Sequence, residues 1–139
     1  MTPSAILDSG VIIGCFVKDD QYKKQSKAIL ESIAKGDIRR VYLTDAVFIE
    51  TINFMARKTN HEEAIKTADL LLTTDKIRIV YLDKSSVVEV RRIFEQYPGL
   101  SWTDCSLVYL SMRLGVKRIY SFDRLFDRVK GIERLESAN

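Results

Sequence analysis

Histidine, tryptophan, cysteine and proline are nearly absent from this chain. His61 is the single histidine, so a Ser-His-Asp triad, a Cys/His zinc site and a histidine-ligated haem lack their raw material. Cys15 and Cys105 sit in apolar stretches and are too few for a disulfide-stapled secreted domain; they read as small buried hydrophobes in a reducing cytoplasm. Two prolines and six glycines leave little material for a collagen, a linker array or a many-turned β-sandwich. No apolar run approaches the roughly 20 residues a membrane span needs. The start MTPSAILDSG lacks the basic and long apolar regions of a signal peptide, so a cytoplasmic location away from the membrane is expected. Any catalysis must come from carboxylates, hydroxyls and an exogenous ion.

What is present is an ordinary globular balance: 46% hydrophobic and 29% charged residues over 139 positions, with 22 basic and 19 acidic side chains for a net charge of +3. One domain over residues 1–139 is expected. Ala5-Ile6-Leu7 is a short apolar run stopped by Asp8-Ser9-Gly10, the pattern of a buried strand ending in a turn. VIIGCFV predicts a brief apolar helix, weakened by Gly14. Tyr22, Ser26, Ile29, Leu30 and Ile33 recur at helical spacing over 19–35, and Gly36 ends that helix. Val41–Leu43 predicts a second strand. Thr44 is placed as the N-cap of a helix to about Lys58, and a further helix runs from about Asn60 to Thr74. Strands are predicted at 77–81 and 118–122, with a possible fifth over 132–135, and helices at 84–97 and 101–114. Short strands alternating with helices predict an α/β domain with a mainly parallel sheet and right-handed crossovers.

Four acids stand out because they interrupt apolar pattern. Asp8 and Asp123 follow strands, at the carboxyl ends where open α/β sheets bind ligands. Either alone reads more simply as a turn aspartate accepting backbone N–H groups. Glu50 has Ala46, Val47, Asn53 and Phe54 three or four residues away, which places it on the core-facing stripe of its helix; snorkelling or arginine pairing is the bland alternative. Asp104 shares a face with Leu107, Val108 and Ser111, yet Ser101-Trp102-Thr103-Asp104 also has the shape of a capping box. Together, two strand-end acids and two inward-facing helical acids converge on one rim of the sheet. Carboxylates that close raise one another's pKa unless a cation neutralises them. An all-oxygen set with no Cys or His selects a hard ion such as Mg²⁺ or Mn²⁺. With a basic periphery, that combination points to phosphodiester hydrolysis.

At this point the chain resembles the PIN-domain family, specifically the VapC-like toxin ribonucleases of toxin–antitoxin pairs. ILDSGVIIGCF is similar to the family's strand, aspartate, small polar residue and apolar helix. TDAVFIETINFMAR is similar to the helix carrying the family glutamate, and WTDCSLVYLSMRLGVKRIYSFDRLF to its C-terminal signature. The resemblance implies a small three-layer α/β/α domain with four to five short strands. It implies a catalytic, metal-holding set of Asp8, Glu50, Asp104 and Asp123, with Ser121 holding a metal-bound water or orienting Asp123. It further implies Mg²⁺- or Mn²⁺-dependent cleavage of RNA, a homodimer and a cognate antitoxin. Relatives often carry an Asp-x-x-His pattern after the first helix; here Lys23 takes the histidine's place.

Phosphate contacts are expected from Arg124 and Arg128, which flank the site in sequence, with Arg39-Arg40 and Arg57-Lys58 as secondary candidates. Trp102 beside Asp104 reads as a base-stacking surface or, more simply, a packing anchor. By analogy, Phe16, Tyr22, Phe48 and Phe54 are candidate antitoxin contacts. The competing function is a non-catalytic PIN-like RNA-binding or scaffold protein. A phosphatase of haloacid dehalogenase type is disfavoured, because Asp8-Ser9-Gly10 lacks the Asp-x-Asp pair.

Overall fold

A computed structural model describes residues 1–138. Five strands form one sheet in the order β3-β2-β1-β4-β5, every neighbouring pair parallel. They are β1 (Ala5–Leu7), β2 (Val41–Thr44), β3 (Ile77–Val80), β4 (Arg118–Tyr120) and β5 (Glu133–Leu135). The helices are α1 (Ser9–Phe16), α2 (Lys23–Ala34), α3 (Asp45–Lys58), α4 (His61–Thr73), α5 (Lys84–Gln96) and α6 (Trp102–Leu114), with a 3₁₀ turn at Arg124–Arg128. This is the expected α/β/α domain, its helices flanking the sheet and its fifth strand present. No helix among the described residues is long and apolar enough to cross a membrane.

The centre of the sheet is the most apolar part of the chain. Ala5, Ile6 and Leu7 are completely buried, as a strand covered on both faces must be, and so are Leu43, Ile119 and Tyr120 on its neighbours. The outer strand β3 is only half-buried, with Arg78 exposed. Because β1 lies between β2 and β4, the chain winds outward from it in both directions. The crevice above the carboxyl ends of β1 and β4 is therefore the topological switch point of the sheet.

Local chemistry moves several boundaries from their predicted places. α1 begins at Ser9, earlier than the apolar run, because the Asp8 carboxylate caps it by accepting the Ser9 N–H. α2 starts at Lys23 because Asp20 Oδ1 accepts the Tyr22 N–H at 2.8 Å and holds the preceding residues in a turn. β4 stops at Tyr120, where the chain turns as Ser121 Oγ accepts the Asp123 N–H. Gly36 closes the α2 turn at φ +78°, a backbone conformation that L side chains rarely adopt. Gly14 serves space instead: a Cβ there would stand 2.2 Å from the Ser26 hydroxyl, so its missing side chain is what lets α1 and α2 approach.

Candidate active site

Asp8 is the first residue past β1, and its two carboxylate oxygens are both engaged. Oδ1 accepts the Ser9 N–H at 2.8 Å and Oδ2 accepts the Ser121 hydroxyl at 2.6 Å. Ser121, fully buried past β4, accepts the Asp123 N–H at 3.0 Å on the same oxygen that donates to Asp8. One hydroxyl thus fixes the ends of two adjacent strands relative to each other. This favours the orienting role over the holding of a water. Asp123 is half-buried, and its Oδ1 accepts the Leu125 N–H at 2.9 Å to start the 3₁₀ turn.

The two interpretations of Asp104 turn out to be compatible. Its N–H donates to Ser101 Oγ at 3.0 Å and its Oδ2 accepts the Ser101 N–H at 3.3 Å, a complete capping box. Its side is also turned inward, and the residue is 8% exposed. Thr44 and Ser106 share a hydrogen bond of 2.8 Å in full burial, joining the α3 N-cap to the first turn of α6 and so relating Asp104 to the helix of Glu50.

Glu50 corrects the expectation of a core-facing glutamate. The buried stripe of α3 is Val47, Thr51 and Met55, spaced four apart, and Glu50 lies one residue, about 100°, to its side. It is exposed to solvent and accepts the Ser9 hydroxyl at 2.6 Å on Oε2. It joins the cluster from the rim, without the desolvation that an inward position would carry.

The electrostatics show that the four acids share one field. Burial pushes the Asp8 carboxyl up to about 7, the charges of Asp104 and Glu50 adding to it against the lowering bonds from Ser121 and Ser9. Asp104 is pushed up to about 6, by burial first, with Asp123 and Glu50 adding against the bonds from Ser101. Among the described residues, no Lys or Arg forms an ion pair with any of the four. Nor do three of their side chains already stand together as a ready-made ligand set. An uncompensated, all-oxygen rim of this kind fits a hydrated hard cation such as Mg²⁺, which takes one or two carboxylates and keeps several waters.

Arg134 is a residue that sequence reasoning did not single out. On β5, with 11% of its side chain exposed, it grips Asp127 of the 3₁₀ turn through two bonds of 3.0 and 3.2 Å. A third bond reaches the Ser121 carbonyl at 3.2 Å, and a fourth reaches Glu136 at 2.6 Å. The other side of the same turn is held by Phe122, whose ring stacks on Tyr22 with centroids 4.1 Å apart and planes 8° from parallel. Ser9 and Arg134 both complete the site. Position beside Asp8 was a signal for the first; nothing in the sequence spacing signals the second.

Of the expected phosphate contacts, Arg124 is exposed directly after Asp123, while Arg128 already donates to the Pro98 carbonyl at 2.7 Å. Lys23 is turned back onto α1, its ammonium donating to the Cys15 carbonyl at 2.9 Å and the Val17 carbonyl at 3.4 Å. Trp102 packs on Phe94, ring centroids 5.6 Å apart, which is the anchor role. Of the four candidate antitoxin contacts, Phe16 lines an apolar groove of about 340 Å³ among α1, α2 and α4; the other three do not.

A carboxylate set at the switch point of a parallel sheet, hydrogen-bonded into place and ion-paired to no Lys or Arg among the described residues, is suited to a hard metal ion of the kind hydrolases use. The PIN domain family model matches residues 5–132, and the chain belongs to that family. Ribonuclease VapC13 of Mycobacterium tuberculosis and a VapC ribonuclease of Mycobacterium bovis are each 26% identical over 130 residues, covering 94% of this chain and 98% of theirs. Among solved structures, the Mycobacterium tuberculosis VapC20 toxin, described as cleaving the sarcin-ricin loop, superposes with a TM-score of 0.80 at 16% identity, over 89% of this chain and 93% of that one. VapBC-1 of nontypeable Haemophilus influenzae matches at a TM-score of 0.66 and 16% identity, over 96% and 97%. At these identities the structural likeness establishes the fold.

Proposed function

We propose that the chain is a divalent-metal-dependent endoribonuclease that hydrolyses RNA phosphodiester bonds, acting as the toxin of a toxin–antitoxin pair. The carrying observation is the pair of buried carboxylates, Asp8 and Asp104, held in place by hydrogen bonds and ion-paired to no Lys or Arg among the described residues. The VapC ribonucleases that match along nearly the whole chain support the same assignment. Asp8, Asp104 and Asp123 would hold Mg²⁺ or Mn²⁺, with Glu50 joining from the rim. When bound, the ion supplies an activated water and neutralises charge on the phosphate. The chain's own part is positional. Ser121 aims Asp8 and Asp123, Ser101 aims Asp104, and Ser9 holds Glu50 toward the cluster. Arg124 and Arg128, following Asp123 on the 3₁₀ turn, supply phosphate contacts from the remaining N–H groups of their guanidinium forks. A homodimer and an antitoxin whose apolar segment occupies the groove beside Phe16 belong to the same proposal.

The test is cleavage of RNA in Mg²⁺ or Mn²⁺ by the parent and by Asp8→Asn and Asp104→Asn, with folding monitored by melting. If both variants cut as fast as the parent, the site is misassigned. Calorimetric titration with Mn²⁺ separates this function from a metal-free RNA-binding relative, which gives no heat and no thermal shift.

A further inference from the structure

The acid cleft leaves much of the molecule's positive charge unexplained. A groove of about 600 Å³ runs along the outer strand pair, and four cations line it: Arg39 and Arg40 ahead of β2, Lys76 ahead of β3, and Arg78 on β3. All four are exposed, and among the described residues none of their side chains makes an ion pair or a hydrogen bond. Asp75 is the one acid among the lining residues, so the groove's balance is 4 − 1 = +3, as large as the +3 of the whole chain. Like charges gathered in one concavity repel one another and raise its potential, which an anion relieves. Arginine forks in particular match phosphate geometry.

Aromatic rings select among the possible anions. Tyr42 on β2 and Tyr81 just past β3 line the same groove, and Tyr81 is 68% exposed. A cationic track with rings along it is how proteins hold single-stranded nucleic acid: cations follow the backbone and bases stack on the rings. An acidic protein segment would use the cations and leave the rings idle. Strand direction then sets the path. β2 and β3 pair in parallel from Val41 with Ile77 to Thr44 with Val80, so three of the cations mark the amino end and Tyr81 the carboxyl end. The carboxyl end is where Asp8 and Asp123 stand, and β3 is an edge strand, so the groove is open on one side.

We propose that this groove is a second RNA subsite, which takes the sugar–phosphate backbone of a single-stranded segment away from the cut and leads it along β3 toward the acid cleft. The inference rests on the nuclease function proposed above and extends it to a longer substrate.

The experiment uses the full chain carrying Arg39→Gln, Arg40→Gln, Lys76→Gln and Arg78→Gln together, beside Tyr81→Ala alone. Binding of a single-stranded RNA of about 20 nucleotides, longer than one groove-sized site, is measured against salt in an Asp8→Asn background. At about 0.7 per phosphate contact, the quadruple variant should flatten the slope of log affinity against log salt by about 3. Tyr81→Ala should lose at least roughly five-fold in affinity at fixed salt. Cleavage of an oligonucleotide of about four nucleotides, with too few phosphates to meet the groove's cations as well as the acid cleft, should stay within about two-fold of the parent for the quadruple variant, and melting should not move for either. Parent slope and affinity in the quadruple variant overturn the proposal. So does a variant that keeps RNA binding but loses poly-glutamate, which assigns the groove to an acidic protein segment. A parent that binds in a groove-dependent way but never cuts in Mg²⁺ or Mn²⁺ leaves the subsite standing and removes the nuclease function. A parent that cuts with groove-independent affinity removes the subsite alone.

Discussion

The crevice above β1 and β4 and the groove along β3 are opposites in sign and in construction. In the crevice, carboxylates are kept from cations and each is tied down: Asp8 by Ser9 and Ser121, Asp104 by Ser101, Asp123 by Leu125. Along β3, the four cations make no ion pair and no side-chain hydrogen bond among the described residues. Burial and the neighbouring carboxylates raise the cost of ionising Asp8 and Asp104, against hydrogen bonds that favour the charged forms, so a cation bound in the crevice would relieve them. The exposed arginines pay little desolvation and act by summed field. A site built in the first way breaks at a single atom; one built in the second way weakens by increments.

The largest effect is expected in the crevice. Asp8→Asn or Asp104→Asn should lower RNA cleavage at least a thousand-fold, about 4 kcal/mol at roughly 1.36 kcal/mol per decade, while both side chains keep an acceptor for their N–H partners. Stability should move the other way. Each native carboxyl has a folded-state pKa far above its ordinary 3.8, so its ionisation opposes folding, and at pH 8 the amide variants should melt above the metal-free parent. A variant that loses both activity and melting temperature would mean the acid serves the fold rather than the reaction.

Arg134→Ala comes next. It touches none of the acids, yet it removes the donor to the Ser121 carbonyl and the grip on Asp127, which brace the turn bearing Asp123. Supporting residues of this kind typically carry about 10–100-fold in metal affinity or activity. The loss should appear as a higher Mn²⁺ concentration for half-maximal cleavage, with RNA affinity in the β3 groove unchanged. Equal loss of groove binding would show that the two regions are not separate.

Much of this was legible before the structure. The strand-end acids, the parallel sheet and the capping of α3 by Thr44 follow from apolar runs and polar stops in the chain, because burial on both faces leaves a central strand no other composition. Two things were not. Glu50 was placed inward because helical spacing names a stripe but not its edges, and one step of about 100° separates Thr51 in the core from Glu50 in solvent. Arg134 went unnoticed because its partners, Asp127 and the Ser121 carbonyl, meet it only when β5 pairs with β4. Pairing across a sheet is long-range, and no local pattern announces it.

A pH series sharpens the same contrast. With Asp8 at about 7 and Asp104 at about 6 against 3.8 unfolded, the folded chain holds protons that the unfolded chain has released between about pH 4 and 7. Stability of the metal-free protein therefore falls as pH rises through that window and levels off above it, by at most about 7 kcal/mol at about 1.36 kcal/mol per unit. In melting curves the drop should be on the order of 10 °C. Millimolar Mn²⁺ should recover most of it at pH 8 and none at pH 4, where protons occupy the carboxyls. The quadruple groove variant should show the same pH curve as the parent.

The smallest effect separates two neighbouring cations on the 3₁₀ turn. Arg124 is exposed and makes no side-chain hydrogen bond among the described residues, so it resembles the groove cations although it stands beside the crevice. Arg124→Gln should reduce the salt slope of RNA binding by about 0.7, one phosphate contact, without moving the melting temperature. Arg128 differs by one bond, its donation to the Pro98 carbonyl at 2.7 Å, which ties the 3₁₀ turn to the loop between α5 and α6. Arg128→Gln should therefore also cost stability, about 1 kcal/mol for the lost hydrogen bond. A drop in slope with a drop in melting temperature for Arg128, and a drop in slope alone for Arg124, would show that one charge can belong to both kinds of construction. Equal behaviour of the two variants would break that distinction, because the Pro98 bond would then hold nothing in solution.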